Sequence, residues 1–292
     1  MKLLSSFLSA LELAAIIPKR FLLQTGAKTY GVHLGPTSTP MEESDPRVTI
    51  APNFYYPQED LLKEWCNKHQ IHYNVTIPGY ILGAVKGAAM NILYPLAVYA
   101  SVQKELGNRL EFPAEVAAWD SEKHQSMAAL IAYHAEWAVL TEDAKDQALN
   151  ITDGSEFRYV CRAASEENNT NTKTSRSWGK FWPVLAKWYG IEHGRPEEDE
   201  SKYNTLEMPH EPPPRGFGPR GKIHAGWTFA GWSEKPEARE AWERLRARYG
   251  LSHNPFEDKQ NTFGLLDTDV LGPWPRSIRY VKVGAWFEGG LC

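Results

Sequence analysis

The sequence predicts an α/β fold, a parallel sheet flanked by helices and followed by a mainly helical C-terminal region. Three observations carry this. Arg20-Phe-Leu-Leu-Gln24 is a short apolar run that stops at Thr25-Gly26, where glycine permits a turn. Residues 71–77, Ile-His-Tyr-Asn-Val-Thr-Ile, are β-rich and stop at Pro78-Gly79. One helical pattern lies between these runs and another follows the second, and such alternation makes parallel sheets.

Taken in order, residues 1–15 place Leu3, Leu4, Phe7, Leu8, Leu11 and Leu13 close to the helical period. The strand at residues 20–24 comes next, so Lys28 leaves the carboxyl end of a buried strand, the edge at which open α/β sheets bind ligands. Pro57 suits a first helical position, where its missing N–H would be unpaired anyway, and Glu59 and Asp60 complement the positive end of the helix dipole. Tyr55 is therefore expected just ahead of a helix N-terminus. Met90, Leu93, Leu96, Val98 and Val102 give residues 88–106 helical spacing. Residues 121–140, with His124, His134 and Trp137, read as a packed helix rather than a catalytic array. Beyond Asp153, Trp-rich helices at 181–189 and 236–249 are separated by residues 197–222, rich in Pro, Gly and charge and read as a long loop. Core packing is the default role for the 11 tryptophans.

With 292 residues, 42% of them hydrophobic, the chain suffices for one large or two modest domains. A net charge of −4 argues against a nucleic-acid or acidic-membrane partner. No apolar run approaches the roughly 20 residues that span a bilayer. The opening is not read as a secretory signal, because Ser5, Ser6, Ser9 and Glu12 interrupt its apolar run. Cys66, Cys161 and Cys292 are too few and too scattered for a disulfide framework, so a reducing, cytoplasmic compartment is expected. Cys66, His69 and His72 have a zinc-like spacing without a fourth ligand, and no metal site is assigned.

The lysine at the strand end and the tyrosine at the helix entrance suggest chemistry. An ammonium close to a phenol favours the ionised phenol, and the phenol can donate a proton or hydrogen bond to a developing oxyanion. Such a pair reads as a nicotinamide-dependent reductase. Phe54, Tyr55 and Tyr56 read equally as an aromatic cluster packing the helix start, and from these residues alone both readings stay open.

Gln24-Thr-Gly-Ala-Lys-Thr-Tyr30, Pro46-Arg47, Asn53-Phe-Tyr-Tyr56 with Glu59-Asp60, Pro78-Gly-Tyr-Ile-Leu-Gly83 and Met90-Asn91 together resemble the progesterone 5β-reductase/iridoid synthase-like (PRISE) branch of the short-chain dehydrogenases, especially its fungal members. The resemblance runs from near residue 1 to about Asp153 and continues more weakly to Ser277. It implies a partial Rossmann-like parallel sheet over residues 1–153, an insertion and junction at 154–180, and a helical, irregular substrate-side region at 181–292. It implies Lys28 and Tyr55 as the catalytic residues, and cofactor contacts from Gln24, Tyr55, Ile81, Ala88, Ala89 and Met90. The implied reaction is reduction of an activated C=C bond: NADPH gives hydride to the β-carbon of a small-molecule enone, the tyrosine steadies the enolate oxygen, and Lys28 holds the cofactor ribose. A homodimer is one open arrangement. Thr29 stands where many plant members carry His, so plant substrates do not transfer.

Two departures shape the expectation. The first 27 residues contain only Gly26, whereas a dinucleotide site needs a glycine-rich turn and a helix N-terminus for the pyrophosphate. The chain is thus expected to lack the N-terminal part of the fold, through an incomplete gene model or a degenerate gene, and to bind NADPH weakly. Secondly, residues 160–177 form a polar, low-complexity tract whose composition cannot bury a core; a retained intron and an ordinary disordered surface insertion both stay open. The rival readings are a carbonyl reductase or epimerase on the same scaffold and a non-catalytic truncated product.

Overall fold

A computed structural model describes residues 2–83, 91–121, 123–152, 177–211, 213 and 220–274. The first helix, α1 (Lys2–Leu13), precedes strand β1 (Arg20–Gln24), and a 3-10 turn (Ala27–Tyr30) follows the strand. A long connection leads to helix α2 (Tyr55–His69) and strand β2 (His72–Pro78). β5 (Gln147–Ile151) completes a parallel sheet of order β1-β2-β5, with Gln24 beside Thr76 and Pro78 beside Ile151. The carboxyl ends of all three strands therefore share one edge.

Period-two alternation sorts β2. Val75 and Ile77 join an apolar cluster with Tyr30, Val32 and Met41, while Phe21, Leu23 and Tyr73 pack with Leu8, Leu62 and Trp65 of α1 and α2. The opposite face presents Asn74 and Thr76, both fully buried. It is covered by α5 (Ala128–Leu140), whose C-terminal carbonyls at Ala138 and Thr141 accept hydrogen bonds from the Arg20 guanidinium at 2.7 and 3.2 Å. A central strand covered on both faces explains why the strand was readable as one β-rich run.

β3 (Tyr80–Leu82) pairs in parallel with β4 (Gln125–Met127), Ile81 opposite Ser126. This corrects the single helix expected over residues 121–140: the helix begins at Ala128, because β3 offers residues 125–127 a ladder, and ladder partners override a weak local preference. α5 is also less packed than expected. Ile131 and Ala138 are buried, but Tyr133 and Leu140 are 66% and 73% exposed.

The C-terminal region is mainly helical. Its α6 (Trp178–Tyr189), α7 (Phe229–Ser233), α8 (Pro236–Tyr249) and α9 (Lys259–Val270) share one large core with α3 (Leu93–Glu105) and the short α4 (Val116–Asp120), which lie between β3 and β4 in the chain. Tyr99 of α3 meets Trp232 and Phe229 edge to face at centroid distances of 4.9 and 5.3 Å, the geometry that aligns ring edge with ring face. Trp119, Trp178, Trp182, Trp232, Trp242 and Trp274 are all buried, so packing is their role; Trp182 also donates its indole N–H to the Leu110 carbonyl at 3.0 Å.

Three boundaries differ from the sequence reading. α3 starts at Leu93, where the Asn91 side chain accepts the Leu93 N–H, so the helical pattern expected over 88–106 is not helical at 91 and 92; residues 88–90 lie outside the described residues. α6 opens at Trp178, three residues ahead of the expected start. The loop expected at 197–222 contains strand β6 (Asn204–Glu207), which pairs antiparallel with β7 (Lys222–Ala225), Leu206 opposite Ile223. β6 was invisible because all four of its residues are exposed and carry no apolar alternation. The tract at 160–176 lies outside the described residues, as do Cys161 and Cys292. No helix among the described residues is long and apolar enough to cross a membrane.

Candidate active site at the carboxyl edge of the sheet

The exit of β1 is tied to β2 by two bonds from one residue: the Thr25 N–H and hydroxyl both donate to the Thr76 carbonyl, at 2.8 and 3.1 Å. The chain then passes Gly26 in extended conformation and winds into the turn that carries Lys28. Thr29 N–H donates to the Gly26 carbonyl, and Gly31, with φ of 76°, closes the turn by donating to the Lys28 carbonyl. Only the left-handed region allows that closure, and glycine enters it without steric cost. Tyr30 plugs the turn into the sheet, its hydroxyl donating to Asn150 Oδ1 of β5 at 2.7 Å.

α2 delivers the tyrosine. Its first helical residue is Tyr55 rather than Pro57, because the Asn53 side chain accepts the Tyr55 N–H at 3.1 Å; Pro57 still falls in the first turn, where no N–H partner is lost. The Tyr55 hydroxyl reaches Gly26, where a β-carbon would lie 3.2 Å from it, with the Pro78 carbonyl of β2 beyond. Lys28 and Tyr55 thus come from adjacent segments at the same sheet edge, both half-buried. Burial pushes the Tyr55 phenol above its ordinary value, opposite in direction to the pull expected of a neighbouring ammonium. The aromatic reading holds for the neighbours: Phe54 tilts against Tyr55 at 4.4 Å, and Tyr56 lies under the Arg47 guanidinium.

The other expected contacts divide. Gln24 is exposed at the end of β1, and Ile81 is half-buried in β3; Ala88, Ala89 and Met90 lie outside the described residues. An exposed amide, an ammonium and a protonated phenol at one sheet edge fit the nicotinamide and ribose end of a dinucleotide. The zinc-like trio is otherwise engaged: burial pushes the Cys66 thiol up to about 11, His69 Nε2 lies 2.7 Å from Glu12, and His72 Nδ1 lies 2.7 Å from Asp146.

Sequence reasoning passed over Lys123 and Asp269. Lys123 is 2% exposed and donates to the carbonyls of Gly272 and Trp274 at 2.9 and 3.1 Å; burial pushes its ammonium down to about 7. Asp269 of α9 is buried, and burial holds its carboxyl well above the usual range although the charges of Lys123 and Lys28 pull the other way. Lys123 and Gln125 border a small cavity of about 10 Å³, whose exposed lining is apolar and whose other walls include Tyr80, Leu96 and Trp178. No sequence signal links residues 28, 123 and 269, because only the packing of α9 brings them near.

Comparison with known proteins agrees with this architecture. A PRISE-like Rossmann-fold domain matches residues 7–210. An uncharacterised protein of Schizosaccharomyces pombe is 29% identical over 87% of this chain and 62% of its own length. An (S)-8-oxocitronellyl enol synthase of Nepeta racemosa is 34% identical over 84% of this chain and 53% of its own, and a short chain dehydrogenase of Penicillium aethiopicum is 29% identical over 85% and 57%. The chain spans little more than half the length of these relatives. With the domain match covering most of the chain, the sequence belongs to the PRISE-like Rossmann-fold family.

Proposed function

We propose that this chain carries the reactive pair of an NADPH-dependent short-chain reductase acting on the activated C=C bond of a small enone. The observation that carries the reading is the meeting of the Tyr55 hydroxyl with the Lys28-bearing turn at the carboxyl edge of a parallel sheet. When bound, the nicotinamide supplies hydride to the substrate β-carbon. Tyr55 donates its hydrogen bond to the substrate carbonyl oxygen as charge develops there, and the burial that keeps the phenol protonated suits it to that task. The α-carbon then takes its proton from solvent. Lys28 holds the ribose and contributes positive charge near the same oxygen. Gln24, exposed beside them, and Ile81 complete the cofactor side.

The assay is run at saturating NADPH, so that cofactor affinity does not limit the readout. The test is NADPH oxidation by the full chain with a simple cyclic enone and, separately, an isolated ketone. Enone-dependent oxidation with formation of the saturated ketone supports the reading. Turnover of the ketone alone points to carbonyl reduction, and no turnover of either overturns it.

A further inference from the structure

We propose that Asn53 and Tyr56 are positioning residues that lock the Lys28 turn to the first turn of α2, so that Lys28 and Tyr55 share one frame. The inference rests on the assignment of Lys28 and Tyr55 as the reactive pair, but its geometry is independent of it. The Asn53 amide spans the two segments: Nδ2 donates to the Lys28 carbonyl at 2.9 Å while Oδ1 accepts the Tyr55 N–H at 3.1 Å. A side chain two atoms longer or shorter would break one half of that bridge. Tyr56 makes the parallel link one residue on, donating its hydroxyl to the Thr29 carbonyl at 2.7 Å.

Tyr56 is itself held from three sides. Its hydroxyl accepts the Val48 N–H at 2.8 Å, and the Arg47 guanidinium lies 4.8 Å from its ring centroid. Arg47 in turn forms a forked pair with Asp60 of α2, at 2.6 and 2.8 Å. Planar, two-point pairing of this kind fixes direction as well as distance. The residues flanking Tyr55 therefore bond successive carbonyls of the turn that bears the lysine, and neither of their side chains is needed to touch substrate. Two short bonds to consecutive carbonyls fix both the height and the rotation of that turn; one bond would leave it free to pivot.

Amide hydrogen exchange in the full chain, without cofactor, tests the lock separately from any catalysis. Thr29 and Gly31 donate within the turn and report its opening. Tyr56→Phe removes the donor to Thr29 at nearly constant volume. Asn53→Asp keeps an acceptor for the Tyr55 N–H but deletes the donor to Lys28. Each variant is expected to speed exchange at Thr29 and Gly31 about fivefold or more, the effect of losing one hydrogen bond, while amides in the middle of α2 stay protected. In Asn53→Asp the Tyr55 amide also stays protected. Unchanged exchange at Thr29 and Gly31, or equal loosening along all of α2, overturns the proposal. A chain that shows the expected exchange but no NADPH oxidation under any condition leaves the lock in place and removes the reductase assignment alone.

Discussion

The Tyr55 hydroxyl occupies the space that Gly26 leaves open, 3.2 Å from where a β-carbon would stand. The backbone of Gly26 is extended, so its role is room rather than an unusual dihedral angle. Gly26→Ala is expected to cost less than about 1 kcal/mol in stability, since the contact falls on the tip of a side chain that can shift. The larger Gly26→Val is expected to displace the ring. Carbon-13 labelling of the tyrosine rings would report both: a small shift for Ala, and a large shift of the Tyr55 resonance for Val.

Arg20 is the polar tie between the sheet and α5. Its side chain is 7% exposed, donates to Asn74 Oδ1 and reaches the carbonyls of Ala138 and Thr141 at the end of that helix. Arg20→Met would fill similar volume yet strand these acceptors, at an expected loss of about 2–4 kcal/mol by denaturant unfolding. A loss below about 0.5 kcal/mol would show that solvent reaches the carbonyls.

The contrast between Arg20 and Lys28 shows what the sequence makes legible. The strand ending in Gln24 was readable to the residue, because an apolar run bounded by glycine has few alternatives, and it placed Lys28 at the correct sheet edge. The sheet partners of β3 were not readable, since a three-residue strand has too few positions to show a period. The partners of Asn53 and Tyr56 were hidden for another reason: both bond backbone carbonyls, which every residue possesses, so nothing at positions 28 and 29 advertises them. The upward pull of burial on the Tyr55 phenol leaves no mark on the motif, where charge proximity is visible while burial is a property of the fold.

Asp267 of α9 caps α7 from across the core, its carboxylate accepting the N–H groups of Phe229 and Ala230 at 2.5 and 3.0 Å. Burial outweighs these bonds and pushes the carboxyl up to about 6. A raised folded value means that the native state holds the proton more tightly than the unfolded chain. Stability therefore falls as pH rises from about 4 to about 6, by up to about 3 kcal/mol, and is flat above. Subtracting the unfolding free energy of Asp267→Asn at each pH isolates this contribution. A difference that grows with pH would mean that the two N–H groups prevail over burial.

Lys28 and Tyr55 are expected to fail together in the enone assay. Tyr55→Phe removes the hydrogen bond to the developing oxyanion and is expected to lower turnover roughly 100-fold. Lys28→Met removes the proposed ribose contact as well as the charge, so it should raise the NADPH concentration needed for half-saturation. The double variant should lose less than the product of the two single losses, because both groups serve one transition state. The pH profile separates the phenol's role from that of a pre-formed phenolate. With burial holding Tyr55 above its ordinary value, the proton donor persists through neutral and mildly alkaline solution, and the rate should show no loss from phenol ionisation below about pH 10. A rate that climbs toward alkaline pH with the titration of Tyr55 would identify the phenolate as the active form and reverse the assigned direction of the hydrogen bond.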